Sequence, residues 1–336
     1  MPKLSRRIAW ALLAMVAAVA FQGVVSADDA VQITFETSGE KYPDYSPDGT
    51  QLVFQSDRSG NWDIWVMPST GGIATQVTVD TSYDARAKWC PAGNDITFET
   101  DRTYGGKILG YPVPDIFVIP ATGGTPTQIT TYPQYDERPD WSPDGTQIIF
   151  SSDRPSGTGL LSSPGDSPLH PSNLWIIPVT GEPAVQLTFD DGYENDASWS
   201  PDGSTIAFMA DYDGNWDIWT MPATGGAATQ ITDDPAIEDN PCWSPSGEYI
   251  AYRKRTESWP SDIWIVPASG GTPTQLTDDI SGEWGPSWSP DGTKIAFFSN
   301  RTGNYDLFVI DVPNAGVIDR EDGTTWSSIK GRFEGE

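Results

Sequence analysis

Histidine occurs once in the 336 residues and cysteine only twice. A structural zinc cluster needs four such ligands, and a Ser-His-Asp triad would have to be built on that single imidazole, so the sequence supports neither. Basic residues are also scarce: 19 Lys and Arg stand against 47 Asp and Glu, a formal net charge of −28. Such a surface repels phosphate backbones and anionic headgroups, which argues against nucleic acid as a partner. What the chain has in quantity is 33 Gly and 29 Pro beside 37% hydrophobic residues. It can bury a sizeable core, yet it punctuates that core too often for long helices.

Lys3, Arg6 and Arg7 precede an apolar run from Ile8 to Val25, and Val25-Ser26-Ala27 has the small-residue spacing of a signal-peptidase site. The reading is a signal peptide over residues 1–27, with an uncleaved anchor as the alternative. No Cys follows the run, so a lipoprotein is not expected. Cleavage leaves an exported chain, periplasmic or extracellular, still more acidic and without stable membrane insertion.

The remainder is one unit written six times. Its tag is an aromatic residue before Ser-Pro-Asp-Gly, as in Tyr45-Ser46-Pro47-Asp48-Gly49, and in the runs starting at Trp141, Trp199 and Trp288; the copies at Trp89 and Trp243 have drifted. Counted from the residue after the aromatic, the steps are 44, 52, 58, 44 and 45 residues. Pro presets one corner of the turn, Asp accepts local backbone bonds and Gly takes the positive φ, so these turns hold strands and not ligands.

Alternating pairs after the turn (Leu52 and Phe54, Ile96 and Phe98, Ile206 and Phe208) have the period of a strand. Runs such as Asp63-Ile64-Trp65-Val66 make another, and Gln76-Val77-Thr78 ends the last. With the stretch holding the aromatic, each unit has four strands. Units of this size cannot bury both sheet faces alone, which predicts an all-β, six-bladed propeller over residues 28–315 with a polar tail over 316–336. Unit six lacks its own Gln-x-Thr strand, while Gln32-Ile33-Thr34 has no unit before it. Residues 31 to 35 are therefore predicted to close the ring as the outer strand of the sixth blade.

The run from Trp199 through Ser200-Pro201-Asp202-Gly203, Ile206-Ala207-Phe208, Asp217-Ile218-Trp219 and Gly225-Gly226 to Gln230-Ile231-Thr232 resembles the TolB-type β-propeller repeat, also called WD40-like. The resemblance covers residues 31 to 313 and implies a six-bladed TolB-like propeller. TolB itself carries an N-terminal α/β domain, which is not expected here because the repeats start at once. Prolyl-oligopeptidase relatives append a hydrolase domain, for which the chain has neither room nor a Gly-x-Ser-x-Gly elbow. The resemblance warrants the fold and says little of function.

Six residues before each anchor lies an acid: Glu40, Asp84, Asp136, Glu194, Glu238 and Glu283. Equivalent positions in a closed ring form a circle, so these carboxylates would suit Ca²⁺ or a cationic peptide segment, or would cap backbone N–H groups between blades. Asp211-Tyr212-Asp213-Gly214-Asn215-Trp216-Asp217 superficially matches a calcium loop, but its aligned copies lose the acids, and a hairpin is the better reading.

Units two and three carry insertions in the same connection, placing Tyr104, Tyr111, Leu160, Leu161 and His170 on one side of the disc, a natural binding surface. Unit five's equivalent loop offers the basic run Arg253-Lys254-Arg255 with Trp259. Trp62, Trp216, Trp259 and Trp284 are read as loop residues able to stack on a sugar or anchor a protein, whereas the repeated Trp are core. Cys90 and Cys242 belong to opposite blades and should be buried free thiols. The functional expectation is an exported, monomeric, non-enzymatic module that binds a protein or peptide through the loop-rich face and channel mouth. The alternatives are a carbohydrate-binding or carbohydrate-active propeller and a calcium-stabilised scaffold.

Overall fold

A computed structural model describes residues 29–102, 113–154, 172–190, 192–255 and 260–312. The Ser-Pro-Asp-Gly turns set its local geometry. Ser46 Oγ donates to Asp48 Oδ1 at 2.6 Å, the same oxygen accepts the Thr50 N–H at 3.0 Å, and Gly49 takes φ 71°. Asp144, Asp202 and Asp291 repeat this arrangement in their own turns. The turn reverses the chain between the first and second strands of each unit, as Glu40–Tyr45 pairs antiparallel with Gln51–Ser56 in the first.

The described residues form six four-stranded antiparallel sheets, each in sequence order from the inside out, except the last. There Val31–Gln32 supplies the fourth strand, pairing Val31 with Val309 and Gln32 with Phe308. The predicted closure is therefore observed, with a strand shorter than the expected 31–35. Thr34 extends the tie, because its Oγ1 accepts the Leu307 N–H at 2.8 Å. Thr78, Thr130, Thr188, Thr232 and Thr277 do the same job within their own blades.

The second strand of each blade is buried on both faces, not only at the alternating pairs: Leu52, Val53 and Phe54 are all fully buried. The sheets stack face to face, so the intervening residues (Val53, Thr97, Ile149, Ala207, Ala251, Ala296) fill the wedge toward the neighbouring blade. The ring Phe54, Phe98, Phe150, Phe208, Tyr252 and Phe297 forms the hub of this core, each side chain worth about 1.5–3 kcal/mol of apolar burial. The repeated Trp stitch blades together: Trp141, Trp243 and Trp288 donate Nε1–H to the carbonyls of Lys88, Ser198 and Cys242 in the preceding blade.

Both cysteines are free. Cys90 is buried against the third blade, as expected, whereas Cys242 is only half-buried because it lies on an innermost strand beside the channel. The expected signal peptide and polar tail lie outside the described residues. Among the described residues no helix is long and apolar enough to cross a membrane.

Candidate functional site

Each innermost strand begins at or next to one of the six acids, and all six are fully buried. In four blades an arginine from the hairpin after the second strand clamps the acid. Arg58 Nη2 lies 3.0 Å from Glu40 Oε1, Arg102 Nη2 lies 2.8 Å from both oxygens of Asp84, and Arg301 contacts Glu283. Arg154 grips Asp136 in bidentate fashion, Nε to Oδ1 at 3.1 Å and Nη2 to Oδ2 at 2.7 Å. Each guanidinium also covers core aromatics, as Arg58 covers Phe54 and Trp65. The other two blades lack the arginine. Glu194 accepts from Thr188 Oγ1 at 2.8 Å, and Glu238 has Lys254 Nζ at 3.5 Å.

The circle of acids is thus divided among separate blades, each acid with its own partners. No three of His, Cys, Asp and Glu converge to hold a metal among the described residues. Burial raises these carboxyls, to about 7 for Glu194 and about 8 for Glu238 and Glu283, against the lowering effect of their partners.

Of the other predicted residues, Tyr104, Tyr111, His170 and Trp259 lie outside the described residues, as do Leu160 and Leu161. Trp62 is half-buried beneath Lys41, whose Nζ is 4.7 Å from its ring centre, and Trp216 is half-buried against Tyr193. Trp284, expected in a loop, is the second residue of the innermost strand of blade six and is buried, stacked on Phe298 at 5.4 Å. The run Arg253-Lys254-Arg255, also expected in a loop, ends the second strand of blade five. Its charges are committed: Arg253 to Asp239, Lys254 to Asp234. The calcium-like segment is a hairpin in which Asn215 Nδ2 bonds the carbonyls of Asp234 and Ala236 at 2.7 and 2.9 Å, tying it to the crossing into the next blade.

The constellation that sequence reading missed lies four residues before each anchor. Tyr42, Arg86, Arg138, Asp196, Asn240 and Gly285 occupy equivalent bulges in the six innermost strands, all at φ between 50° and 60°. The left-handed conformation costs a non-glycine residue about 1–2 kcal/mol and is common at functional sites. Here it aims the side chains into the channel, where they line a cavity of about 70 Å³.

Asp196 is the hub of this ring. It accepts from Arg86 Nη1 at 3.2 Å, Arg138 Nη1 at 2.7 Å and Asn240 Nδ2 at 2.7 Å, joining blades two, three, four and five. Arg86 Nη2 donates to the Tyr42 hydroxyl at 2.9 Å and its guanidinium lies over that ring. Burial alone would raise Asp196, but the Arg138 and Arg86 charges outweigh it and hold the carboxyl below its usual range. The blades also brace the ring from behind: Gln55 and Glu99 accept the backbone N–H groups of Arg86 and Arg138.

A second tier follows two residues later. Lys88 Nζ lies 3.1 Å from Asp44 Oδ1, and Asp140, pushed up to about 6 by burial, accepts the Trp199 N–H. The signal for both tiers was present in the repeat: positions where every other feature is uniform but the residue type changes from blade to blade. A position whose residue the fold requires repeats it in every blade; these positions do not, and so bring unlike groups together.

Residues 160–260 match the sequence profile of the TolB beta propeller domain. Solved structures with the same fold include an Agrobacterium tumefaciens protein assigned to TolB, with 21% identity, a TM-score of 0.64, and coverage of 84% of this chain and 97% of that one. TolB from Acinetobacter baumannii aligns at 17% identity and TM-score 0.56, covering 82% of this chain and 64% of that one. A gluconolactonase from Xanthomonas campestris aligns at 14% identity and TM-score 0.60, with 84% and 89% covered. An oligogalacturonate lyase in complex with manganese aligns at 13% identity and TM-score 0.58, with 85% and 94% covered. A search of curated proteins finds no match. The TolB-like six-bladed propeller read from the repeats is borne out, and at these identities the structural likeness speaks for the fold.

Proposed function

We propose that this TolB-like propeller is an exported, non-enzymatic binding module that holds a protein or peptide partner at its channel mouth and loop-rich face. The observation that carries this reading is the ring of unlike side chains, Tyr42, Arg86, Arg138, Asp196 and Asn240, held in left-handed backbone around a narrow cavity. Such a ring offers oriented donors and acceptors on a rigid scaffold and contains no nucleophile paired with a base. Binding at a preformed polar site needs little ordering of the scaffold on association.

The test is photo-crosslinking. A benzoylphenylalanine replaces Glu137, a partly exposed residue at the ring, and the full chain is exposed to extracts of the cell envelope and culture medium. Crosslinking to a discrete protein, lost on Arg86→Ala, is the expected result. Because the fold also serves a lyase and a lactonase among its neighbours, a glycan array is run alongside. Saturable glycan binding without a protein crosslink would overturn the reading in favour of the carbohydrate alternative.

A further inference from the structure

Arginine presents five N–H donors, and its Nε/Nη2 edge matches the two oxygens of a carboxylate. This protein fills that edge twice with its own carboxylates: Arg154 grips Asp136 through Nε and Nη2, and Arg253 grips Asp239 through the same pair of atoms. Arg138 does not. Its Nη1 is spent on Asp196, but its Nε is buried without a hydrogen-bond partner, and its Nη2 makes no hydrogen bond among the described residues. Glu137 pairs with Nε only at 3.7 Å, beyond hydrogen-bond reach, and is one-third exposed. A buried donor left unpaired is unfavourable, so a ligand that accepts from this edge makes a hydrogen bond that the protein leaves unmade.

We propose that the Nε/Nη2 edge of Arg138 is a subsite for a single carboxylate group entering the channel. Asp196 holds the guanidinium from its far side and so fixes the direction of the fork. Glu99 accepts the Arg138 backbone N–H at 2.9 Å and fixes the strand that carries it. The cavity beside it, about 70 Å³, has room for about two waters at the volume each takes in the liquid. That admits a carboxylate head with one or two carbons. Arg86, Lys88, Asp140 and Asp196 line the cavity with Arg138; Glu99, Glu137, Asp239 and Arg253 are the further charges near these guanidiniums, and the incoming carboxylate takes the place of Glu137, whose side chain is one-third exposed. The source is either a free small acid or the carboxyl terminus of a peptide. The inference rests on the channel mouth being a binding site, but its acetate arm needs no protein partner.

The experiment is calorimetric titration of the full chain with sodium acetate, in chloride buffer of matched ionic strength, and with acetyl-trialanine as the free acid and as the C-terminal amide. Saturable binding of a carboxylate at one site per chain, weakened at least tenfold by Arg138→Gln, is expected. A peptide source adds at least a tenfold preference for the acid over the amide; acetate binding without that preference identifies a free small acid. No saturable carboxylate binding, or equal binding by Arg138→Gln, overturns the proposal. Should that variant fail to fold, the Nε–Hε resonance of Arg138 in the unmodified chain decides: it moves with acetate and not with chloride, or the proposal fails. A negative titration beside a positive crosslink removes the subsite and leaves the binding module standing.

Discussion

Arg86 of the second blade and Asp196 of the fourth meet across the channel, Nη1 to Oδ1 at 3.2 Å, although neither blade touches the other through its sheet. The contact is possible because both residues sit in left-handed bulges that turn their side chains inward. It makes the channel a structural keystone as well as the proposed site.

Replacing Asp196 with Ala therefore leaves two guanidiniums and the Asn240 amide without their common acceptor. Removing one partner of a buried pair costs about 3–5 kcal/mol. The side chains of Arg86 and Arg138 are about one-fifth exposed, which places the expected loss at the lower end. Urea unfolding measures it; a loss below about 1 kcal/mol would show that water supports the arginines as well as Asp196 does.

The four arginine clamps should behave differently from surface ion pairs. Arg154 is 5% exposed and Asp136 not at all, and the guanidinium also covers Phe150 and Trp175. Arg154→Ala is expected to destabilise by about 3–5 kcal/mol, with the effect scarcely changed by salt. The same substitution at Lys294, whose partner Asp311 is exposed, should cost no more than about 1 kcal/mol and vanish in high salt.

Glu238 lacks an arginine and is raised by burial to about 8 from an ordinary value of 4.5. A carboxyl raised on folding is protonated in the folded chain while ionised in the unfolded one, so stability falls as pH rises from about 4.5 to 8 and levels off above. Asp48, Asp144 and Asp202 are lowered by hydrogen bonds from the turn, and their contribution is lost as pH falls below the usual carboxylate range. Melting temperature should therefore peak in weak acid. Glu238→Gln should flatten the decline toward pH 8; an unchanged slope would show that Glu238 is ionised in the folded protein.

The ring closure hangs on a threonine. Thr34→Val removes the acceptor of the buried Leu307 N–H and should cost about 1–3 kcal/mol. Thr130→Val removes the equivalent bond to Ile116 inside a continuous blade. Comparable equilibrium losses are expected for both, while hydrogen exchange should rise locally around Leu307 in the first variant. Unaltered exchange there would mean that the leading strand is held by other contacts.

Six units, four strands apiece and the fit of the leading strand into the trailing blade were all legible in the chain, because each depends on short-range rules: turn chemistry, two-residue alternation and counting. The acids before each anchor were legible as a pattern, but their clamps were not. Arg58, Arg102, Arg154 and Arg301 recur at one position after the anchor, and only the fold of the hairpin over the strand brings each to its carboxylate. Trp284 was misplaced for a similar reason: its strand begins earlier than alternation indicates, since the bulge at Gly285 interrupts the period.

The sequence by itself determined the repeating architecture, since every blade solves the same local problem of burying two sheet faces with the same residues. Only the tertiary structure decided what the channel contains. Its lining takes one residue from each of six segments roughly fifty residues apart, five of them with side chains, and which of these meet, and that Arg138 keeps one edge unfilled, depends on the curvature of the closed ring.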